Sequence, residues 1–551
     1  MKLLLIFLTT VSVFAAEPIR AKHGIVVSSH SLASEVGVQV LRSGGNAVDA
    51  AVATGLALAV VHPSAGNIGG GGFMVLMRKD GSVTTFDFRE MAPAATTPEM
   101  FAALDGSNHE GYKSIGVPGT VAGFAAALKK YGRKTFRELA APAIKLAEEG
   151  FALSGAQASA FASLRADWER YPSSGKIFLH SDGSTYKAGE TWKQPDLAAT
   201  LRAIRSGGRD AFYKGEIAAR MAADMRAHGG LITERDLADY TAIERPPIRG
   251  RYRDFEIYSM GPPSSGGIGI VEMLNILEPY DLKSLRQNSA PYVHLLAETM
   301  RRAFADRAKY LGDPDFNPGL PKDLLVSKDH AAKLRRTIDP EHASPSDPTR
   351  FVEVYESPET THYSIIDEEG NAVAVTYTLE YSYGSRIVAD GLGFLYNNEM
   401  GDFNPRPGLT DESGLIGTAP NVVAPHKRML SSMSPTIVAK NNQPVLIIGS
   451  PGGRTIINTV LQVVLNVVDH HMNIADAVAA PRMHHQWLPN QIQIESGKFS
   501  TEVTNRLHEI GHKIAETDRI GEAMGITIDP NTRERLGAAD PRSPDGKAVG
   551  Y

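Results

Sequence analysis

The chain contains no cysteine among its 551 residues. This excludes disulfide bonds, cysteine-based metal sites and thiol nucleophiles, so any nucleophile must be a hydroxyl, an amine or a carboxylate. Positive and negative charges are also nearly balanced, because 22% of the residues are charged but the net charge is only −5. This balance predicts neither a polyanion-binding surface nor a disordered acidic tail, so we do not expect nucleic acid as a partner.

Long apolar runs occur only at the start of the chain. Met1–Ala16 contains Lys2, an apolar run over Leu3–Phe14 and two small residues at its end. This pattern is typical of a secretory signal peptide and is too short to span a membrane. We therefore expect cleavage after Ala16, no membrane span, and a periplasmic or secreted protein.

The stretch from Thr360 to Leu379 has the pattern of a β-hairpin. β-Branched and aromatic residues alternate on both sides of the turn sequence Glu368–Asn371. Folding about this turn would bring Thr378 opposite Thr360. The sequence therefore predicts two neighbouring hydroxyl groups at the open end of the hairpin.

A polar, proline-containing segment, Pro340–Glu359, precedes the hairpin. It has little apolar surface to bury, and such a loop is open to proteolysis or self-cleavage. Cleavage of the Glu359–Thr360 bond would make Thr360 an N-terminal residue, with its hydroxyl as nucleophile and its α-amine, of reference pKa about 7.7–8.0, as base. An isolated Thr-Thr pair more often simply begins a strand, so this interpretation depends on the motifs that accompany it.

Four such motifs follow one another after residue 359: Thr360–Ser364, Val375–Leu379, Leu430–Thr436 and Ser450–Gly453. Together they resemble the γ-glutamyltranspeptidase (glutathione hydrolase) family of N-terminal-nucleophile hydrolases, and the likeness extends from about Ala21 to Tyr551. The resemblance implies a self-processing enzyme in which Thr360 attacks the γ-glutamyl amide of glutathione or a related compound. The resulting γ-glutamyl ester would pass its acyl group to water or to the amine of an amino acid or dipeptide. No cofactor and no metal are implied.

The resemblance also implies the fold class, α+β, as a four-layer αββα sandwich of the N-terminal-nucleophile hydrolase type. Patterning alone predicts only a mixture of helices and strands. After a signal peptide over 1–16, we expect a large subunit over 17–359 and a small subunit over 360–551. The two would be cut from one precursor and would form one intertwined domain, a heterodimer.

The same resemblance assigns residues to the two ends of the substrate's amino-acid head group. Arg89, Ser431 and Ser432 would bind the α-carboxylate, and the planar fork of a guanidinium suits a planar carboxylate. Glu399 and Asp402 would bind the α-ammonium. If both groups are held, the bond presented to the nucleophile is the γ-amide.

Two further features would serve the catalytic step itself. Thr378 would hydrogen-bond to the nucleophile and tune it. Gly452 and Gly453 lie between a predicted strand, Pro444–Ile448, and a predicted helix, Ile456–Val468. Their N–H groups would point at a tetrahedral oxyanion, although a tight turn is the ordinary interpretation of Ser-Pro-Gly-Gly.

The chain departs from the family pattern at Glu380 and in the lid loop, and in smaller ways at Met429 and Arg454. Glu380 stands where the resemblance predicts an Asn that contacts the amino end of the substrate. A third carboxylate could strengthen the ammonium contact or raise the pKa of a neighbouring carboxyl group by like-charge repulsion. The run Pro407–Asn421 resembles the family's lid loop. Ser413 stands where some members have an aromatic residue that acts as a gate, so the sequence does not decide whether this chain has such a gate.

Two other motifs have competing interpretations. Pro63–Phe73 is rich in glycine, but it has no Lys-Ser/Thr ending of a phosphate-binding loop, so close backbone packing beside a strand is the better interpretation. His508–His512 matches the zinc-peptidase pattern HExxH, with Asp518 available as a third ligand. We expect the helix there to end at Gly511, which would separate the two histidines.

Three alternatives remain at this point. The same fold could act on another acyl substrate, as a cephalosporin acylase or a poly-γ-glutamate depolymerase. The HExxH motif could mark a zinc peptidase, and an unprocessed chain could be a binding protein without catalysis. The presence of Arg89, Ser431 and Ser432 favours small γ-glutamyl compounds.

Overall fold

Two seven-stranded sheets lie between two layers of helices, and every strand in them is antiparallel to its neighbours. This computed structural model describes residues 17–103, 106–346, 360–406 and 418–551. The predicted signal peptide, Glu359 of the predicted scissile bond and Ser413 of the predicted lid lie outside the described residues. Within those ranges, no helix has the length and hydropathy needed to cross a lipid bilayer.

The strands are β1 Ile19–Ala21, β2 Ile25–Ser28, β3 Gly71–Met77, β4 Val83–Phe88, β5 Phe151–Ala152, β6 Thr191–Trp192, β7 Ile243–Arg245, β8 Ile248–Tyr252, β9 Phe255–Ser259, β10 Thr361–Ile366, β11 Ala372–Thr378, β12 Thr436–Lys440, β13 Gln443–Ile448, β14 Met483–His484, β15 Ile492–Glu495, β16 Ile514–Thr517, β17 Met524–Ile528, β18 Arg535–Ala539 and β19 Lys547–Gly550. The helices are α1 Ser31–Arg42, α2 Ala47–Val61, α3 Thr120–Tyr131, α4 Phe136–Leu139, α5 Ala141–Glu149, α6 Gly155–Ser163, α7 Arg165–Arg170, α8 Pro172–Phe178, α9 Pro195–Tyr213, α10 Glu216–His228, α11 Glu234–Asp239, α12 Gly266–Leu277, α13 Leu282–Leu285, α14 Ala290–Tyr310, α15 Lys322–Leu325, α16 Lys328–Arg335, α17 Thr455–Val468, α18 Ile474–Ala479 and α19 Thr501–Glu509. Three short 3₁₀ turns occupy Tyr112–Ser114, Glu399–Asp402 and Ala419–Asn421.

Three apolar cores separate the four layers. One joins α1, α2 and their neighbours to the sheet of order β19-β2-β10-β11-β3-β4-β7. A second lies between the two sheets, and a third packs α12, α14 and α17 against the sheet of order β1-β18-β17-β13-β12-β9-β8. The predicted αββα sandwich is therefore confirmed.

Strand β11 shows why the layers form. Side chains alternate across a strand, so Val373 and Val375 face the helix-side core while Ala372 and Ala374 face the opposite sheet. Both faces are buried, and the small alanines let the sheets approach each other.

Segments from both sides of residue 360 contribute to each sheet. Strands β2, β3, β4 and β7 precede that residue and share one sheet with β10, β11 and β19, which follow it. The other sheet is mixed in the same way. The parts of the chain before and after residue 360 therefore build the same two sheets.

Candidate active site

The open end of the β10–β11 hairpin places Thr360 beside Thr378. The register pairs Thr361 with Tyr377, so Thr360 and Thr378 are adjacent one position further out. The Thr360 hydroxyl donates to the Thr378 hydroxyl across 3.4 Å, and the latter accepts the N–H of Glu380 at 2.9 Å. Both threonines are buried. The predicted hairpin and its pair of hydroxyls are confirmed.

The glycine-rich segment that leads into β3 holds Thr378 in place. Asn67 Nδ2 donates to the Thr378 carbonyl oxygen at 2.9 Å. A Cβ atom at Gly70 would lie only 2.1 Å from that oxygen, so no other residue allows this approach. Close backbone packing is therefore the correct interpretation of Pro63–Phe73.

Arg89 is fully buried just after β4 and binds carboxylates. Its Nη1 donates to Glu399 and its Nη2 to Asp402. Nη1 also lies 3.4 Å from Glu90 Oε2, and Nε donates to the Met429 carbonyl at 3.3 Å. The structure thus brings the predicted carboxylate ligand and the predicted ammonium ligands together, and it pairs them with one another.

Three carboxyl groups share this one buried guanidinium. Burial alone would lower the pKa of Arg89, but Glu399 and Asp402 outweigh it and raise that pKa. Burial raises the pKa of Glu90 to about 7 and that of Glu399 well above its usual range, although Arg89 opposes both shifts. Glu399 Oε2 is buried and has no hydrogen-bond partner within the described residues. The cluster therefore has spare acceptor capacity, which suits an added cation such as an α-ammonium.

The two predicted serines border the same pocket as Arg89. The Ser431 hydroxyl accepts the N–H of Met433 at 3.1 Å, which leaves its proton available to a ligand. Ser432 Oγ accepts a hydrogen bond from Nη2 of Arg307 at 3.0 Å. Sequence reasoning missed this second buried guanidinium and treated its helix, α14, as scaffold. A charged residue on the apolar face of an amphipathic helix is the signal that could have found it.

Gly452 and Gly453 form the turn between β13 and α17. Their φ angles of +134° and +54° lie where side chains are disfavoured, so glycine is needed at both positions. Neither N–H donates a hydrogen bond within the part of the chain that the structure describes. Two N–H groups without a partner beside Thr360 are suited to an oxyanion, and the oxyanion-binding role of these glycines stays a prediction.

Thr360 borders two spaces of very different size. A pocket of about 20 Å³ is lined by Thr360, Thr378 and Gly453 and by the predicted substrate-binding residues: Arg89, Glu380, Glu399, Asp402, Ser431 and Ser432. A cavity of about 570 Å³, lined by Gly452, Arg519 and Glu522 among others, is also bordered by Thr360. Thr360 therefore borders both a charged pocket and an open cavity.

Glu380, the departure from the family pattern, is held in a strained conformation at the pocket. Its φ is +77°, a region that non-glycine residues rarely adopt. Its Oε1 lies 3.2 Å from Nδ1 of His109, whose ring stacks on Tyr381 at a centroid distance of 5.3 Å. His109 is a second site residue that sequence reasoning missed, because its segment has no periodic pattern.

The HExxH motif does not form a zinc-peptidase site. Helix α19 ends at Glu509, and Gly511 has a φ of +99°, so His508 and His512 do not share one helical face. His508 Nδ1 contacts the carbonyl of His512, whereas His512 Nε2 lies 2.8 Å from Nδ1 of His294. The predicted break between the two histidines is confirmed.

Comparison with known proteins agrees with this geometry. Residues 33–550 match the family described as Gamma-glutamyltranspeptidase. The chain belongs to the γ-glutamyltranspeptidase family. The family and the enzyme class predicted from the sequence, a γ-glutamyltransferase of the N-terminal-nucleophile type, are therefore confirmed.

Individual relatives of this γ-glutamyltranspeptidase family member cover between 61% and 100% of its length. It is 47% identical to the "Glutathione hydrolase proenzyme" of Escherichia coli K12, over 97% of this chain and 93% of the relative. A solved cephalosporin acylase from Bacillus halodurans superposes with a TM-score of 0.87 at 28% identity, covering 100% of this chain and 99% of that one. A solved γ-glutamyltranspeptidase from Helicobacter pylori is 44% identical with a TM-score of 0.57, covering 61% of this chain and 95% of that one.

Proposed function

We propose that this protein is a self-processing γ-glutamyltransferase and glutathione hydrolase whose nucleophile is Thr360. The observation that carries the proposal is the small pocket in which the Thr360 hydroxyl meets Arg89, the acidic residues around it and two serines. A pocket with both an anion-binding and a cation-binding wall suits a free amino-acid head group. Such a head group leaves its side-chain amide as the bond that reaches the nucleophile.

Maturation would break the Glu359–Thr360 bond and give chains over 17–359 and 360–551, of 343 and 192 residues. The new α-amine of Thr360 would take the hydroxyl proton as the oxygen attacks the γ-carbonyl carbon. Thr378 would orient that hydroxyl. The N–H groups of Gly452 and Gly453 would stabilise the oxyanion before the amine leaves with the proton.

The γ-glutamyl ester would then react with water, which gives hydrolysis, or with an amino acid or dipeptide, which gives transfer. We propose the larger cavity next to Thr360 as the place from which the second substrate approaches, since it is wide and polar. The sequence of Met1–Ala16 supports a periplasmic or secreted location for the enzyme.

A matched pair of variants tests the nucleophile. Thr360→Ala removes the hydroxyl, so we expect a single chain on denaturing electrophoresis and no hydrolysis of a chromogenic γ-glutamyl anilide. Thr360→Ser keeps a hydroxyl and should give two chains, with serine at the new N-terminus on sequencing. A Thr360→Ala protein that still matures and still consumes glutathione would contradict the proposal.

Cephalosporin acylase is a second candidate, favoured by the superposition on the Bacillus halodurans enzyme over the whole chain. A glutaryl amide differs from a γ-glutamyl amide only in the missing α-ammonium. Because Glu399 has a buried, unpaired carboxylate oxygen at the pocket, we expect the ammonium to matter. One charge-assisted hydrogen bond contributes about 1.5–3 kcal/mol, or about 10- to 100-fold in kcat/KM for the γ-glutamyl anilide over the glutaryl anilide. The reverse preference would favour the acylase.

A further inference from the structure

Three side chains from three helices meet in the outer helical layer. Glu272 lies on α12, Asp306 on α14 and His330 on α16, and their ligand atoms all lie within 4.8 Å of one another. His330 Nε2 is 2.6 Å from Asp306 Oδ2 and 3.9 Å from Glu272 Oε1. One imidazole nitrogen therefore faces two carboxyl groups at once.

Glu272 is the unusual member of this group. It is only 1% exposed, and its Oε1, which lies 3.9 Å from His330 Nε2, has no hydrogen-bond partner within the described residues. Asp306 and His330 are 17% and 16% exposed, so the group can be reached from solvent.

A second group of similar composition provides a contrast. His294, Glu298 and His512 are also close enough to hold a metal ion. Glu298, however, is bound by Arg301 at 3.3 Å and by Arg302 at 2.7 Å. Two guanidinium groups already neutralise this carboxylate, and they would repel a metal ion. Among the contacts described, neither Glu272 nor Asp306 is salt-bridged to a lysine or an arginine, so the first group is the better cation site.

We propose that Glu272, Asp306 and His330 bind one divalent transition-metal ion, preferably Zn²⁺. Two carboxylates and one neutral imidazole are N and O ligands that Zn²⁺ accepts at about 2.0–2.2 Å, with a water molecule in the fourth position. Ca²⁺ and Mg²⁺ prefer sites made only of oxygen atoms, so the imidazole selects against them. The ion would give Glu272 Oε1 the partner that it lacks among the described residues.

Such an ion would join α14 to α12 and α16. Asp306 is followed directly by Arg307, whose guanidinium donates to Ser265 at 2.9 Å and to Ser432 at 3.0 Å. The site would thus stabilise the helix that supports one wall of the active-site pocket. This role is structural and does not depend on the identity of the substrate.

Isothermal titration of the full-length, chelator-treated protein with Zn²⁺ tests the proposal, with Mg²⁺ as a comparison. We expect one tight Zn²⁺ per chain, weakened about 100-fold or more in Glu272→Gln and in His330→Gln. Gln has nearly the size and shape of Glu and carries no charge, so the variant at buried position 272 should fold. Co²⁺ should give visible absorption bands that both variants lose.

His512→Gln is the matched control, because it removes a histidine from the second group and should leave Zn²⁺ binding intact. The chain has 17 histidines, so binding at another histidine must be distinguished. The proposal is wrong if no stoichiometric Zn²⁺ binds, if both variants bind like the parent, or if only His512→Gln loses the ion. Thermal melting with and without Zn²⁺ provides a second measurement, in which only the parent and His512→Gln should be stabilised.

Discussion

The two spaces beside Thr360 differ in burial as much as in size. On the narrow side, the side chains of Arg89 and Glu399 are both 1% exposed. On the wide side, those of Arg519 and Glu522, which form an ion pair at 2.6 Å, are 47% and 15% exposed. The same types of charge therefore lie in a dry environment in the pocket and in a wet one in the cavity beside Thr360.

This difference predicts different selectivity on the two sides. Charges that are shielded from water interact strongly and impose geometry, whereas exposed charges are screened and contribute little. Under the proposed function, the enzyme should be strict toward the γ-glutamyl donor and permissive toward the acceptor.

Arg89→Gln should produce the largest change. It removes two charge-assisted hydrogen bonds from the narrow pocket, at about 1.5–3 kcal/mol each, which corresponds to about 10²- to 10⁴-fold in kcat/KM for a γ-glutamyl anilide. Initial rates measured over a range of donor concentrations check this. A loss below tenfold in a protein that still matures would mean that the narrow pocket does not bind the donor.

The sequence predicts local elements of the fold well but does not predict the contacts of Arg89. The β10–β11 hairpin and helix α17 were predicted within one or two residues, because periodicity and turn chemistry are local. The contacts of Arg89 with Glu399 and Asp402 join residues 310 and 313 positions apart, which no local pattern encodes. Family resemblance predicted their presence in the site but not their pairing in the ligand-free chain.

Arg307 and His109 were missed for a different reason. Helical periodicity places Arg307 on the buried face of α14, yet periodicity cannot show that its guanidinium reaches Ser432 on a distant loop. His109 lies in a loop, where position depends on tertiary packing alone. A residue whose function depends on contacts with a distant part of the chain is therefore the hardest to predict from sequence.

His362, on β10 two positions after Thr360, should give the next largest effect. It is fully buried between Thr376 Oγ1 at 2.8 Å and Ser364 Oγ at 3.0 Å, and burial lowers its pKa to about 3. Since the unfolded state protonates near pH 6.5 and the folded state does not, this group's contribution to stability is complete above pH 6.5. It is lost as the pH falls toward 3.

The matched measurement compares the parent with His362→Gln in denaturant at pH 8 and at pH 5. The stability difference between them should shrink by about 2 kcal/mol at pH 5, because only the parent has the buried imidazole. Taking the difference removes the effects of groups that both proteins share. A pH-independent difference would show that the imidazole is charged in the folded protein.

Glu380→Asn should have a smaller effect, confined to the narrow side. Asn tolerates the left-handed backbone of this position better than Glu, so the fold should be kept. Exchange of a charged acceptor for the neutral amide oxygen of Asn weakens the contact with the α-ammonium by about 1 kcal/mol and should raise KM for the donor about fivefold. The rate of appearance of two chains should not change. If self-cleavage slows while KM stays constant, Glu380 does not contact the substrate.

Arg519→Gln should have the smallest effect and should act on the other side. Its charge is half-exposed and paired with Glu522, and such pairs contribute about 0.2–1 kcal/mol, or about 1.5- to 5-fold. We expect this change only in the KM of a charged dipeptide acceptor, measured at saturating donor, with hydrolysis unchanged. Added salt should reduce it further, because exposed charges are screened. An effect on donor KM comparable to that of Arg89→Gln would mean that one substrate occupies both spaces, and the division of the site at Thr360 would then be wrong.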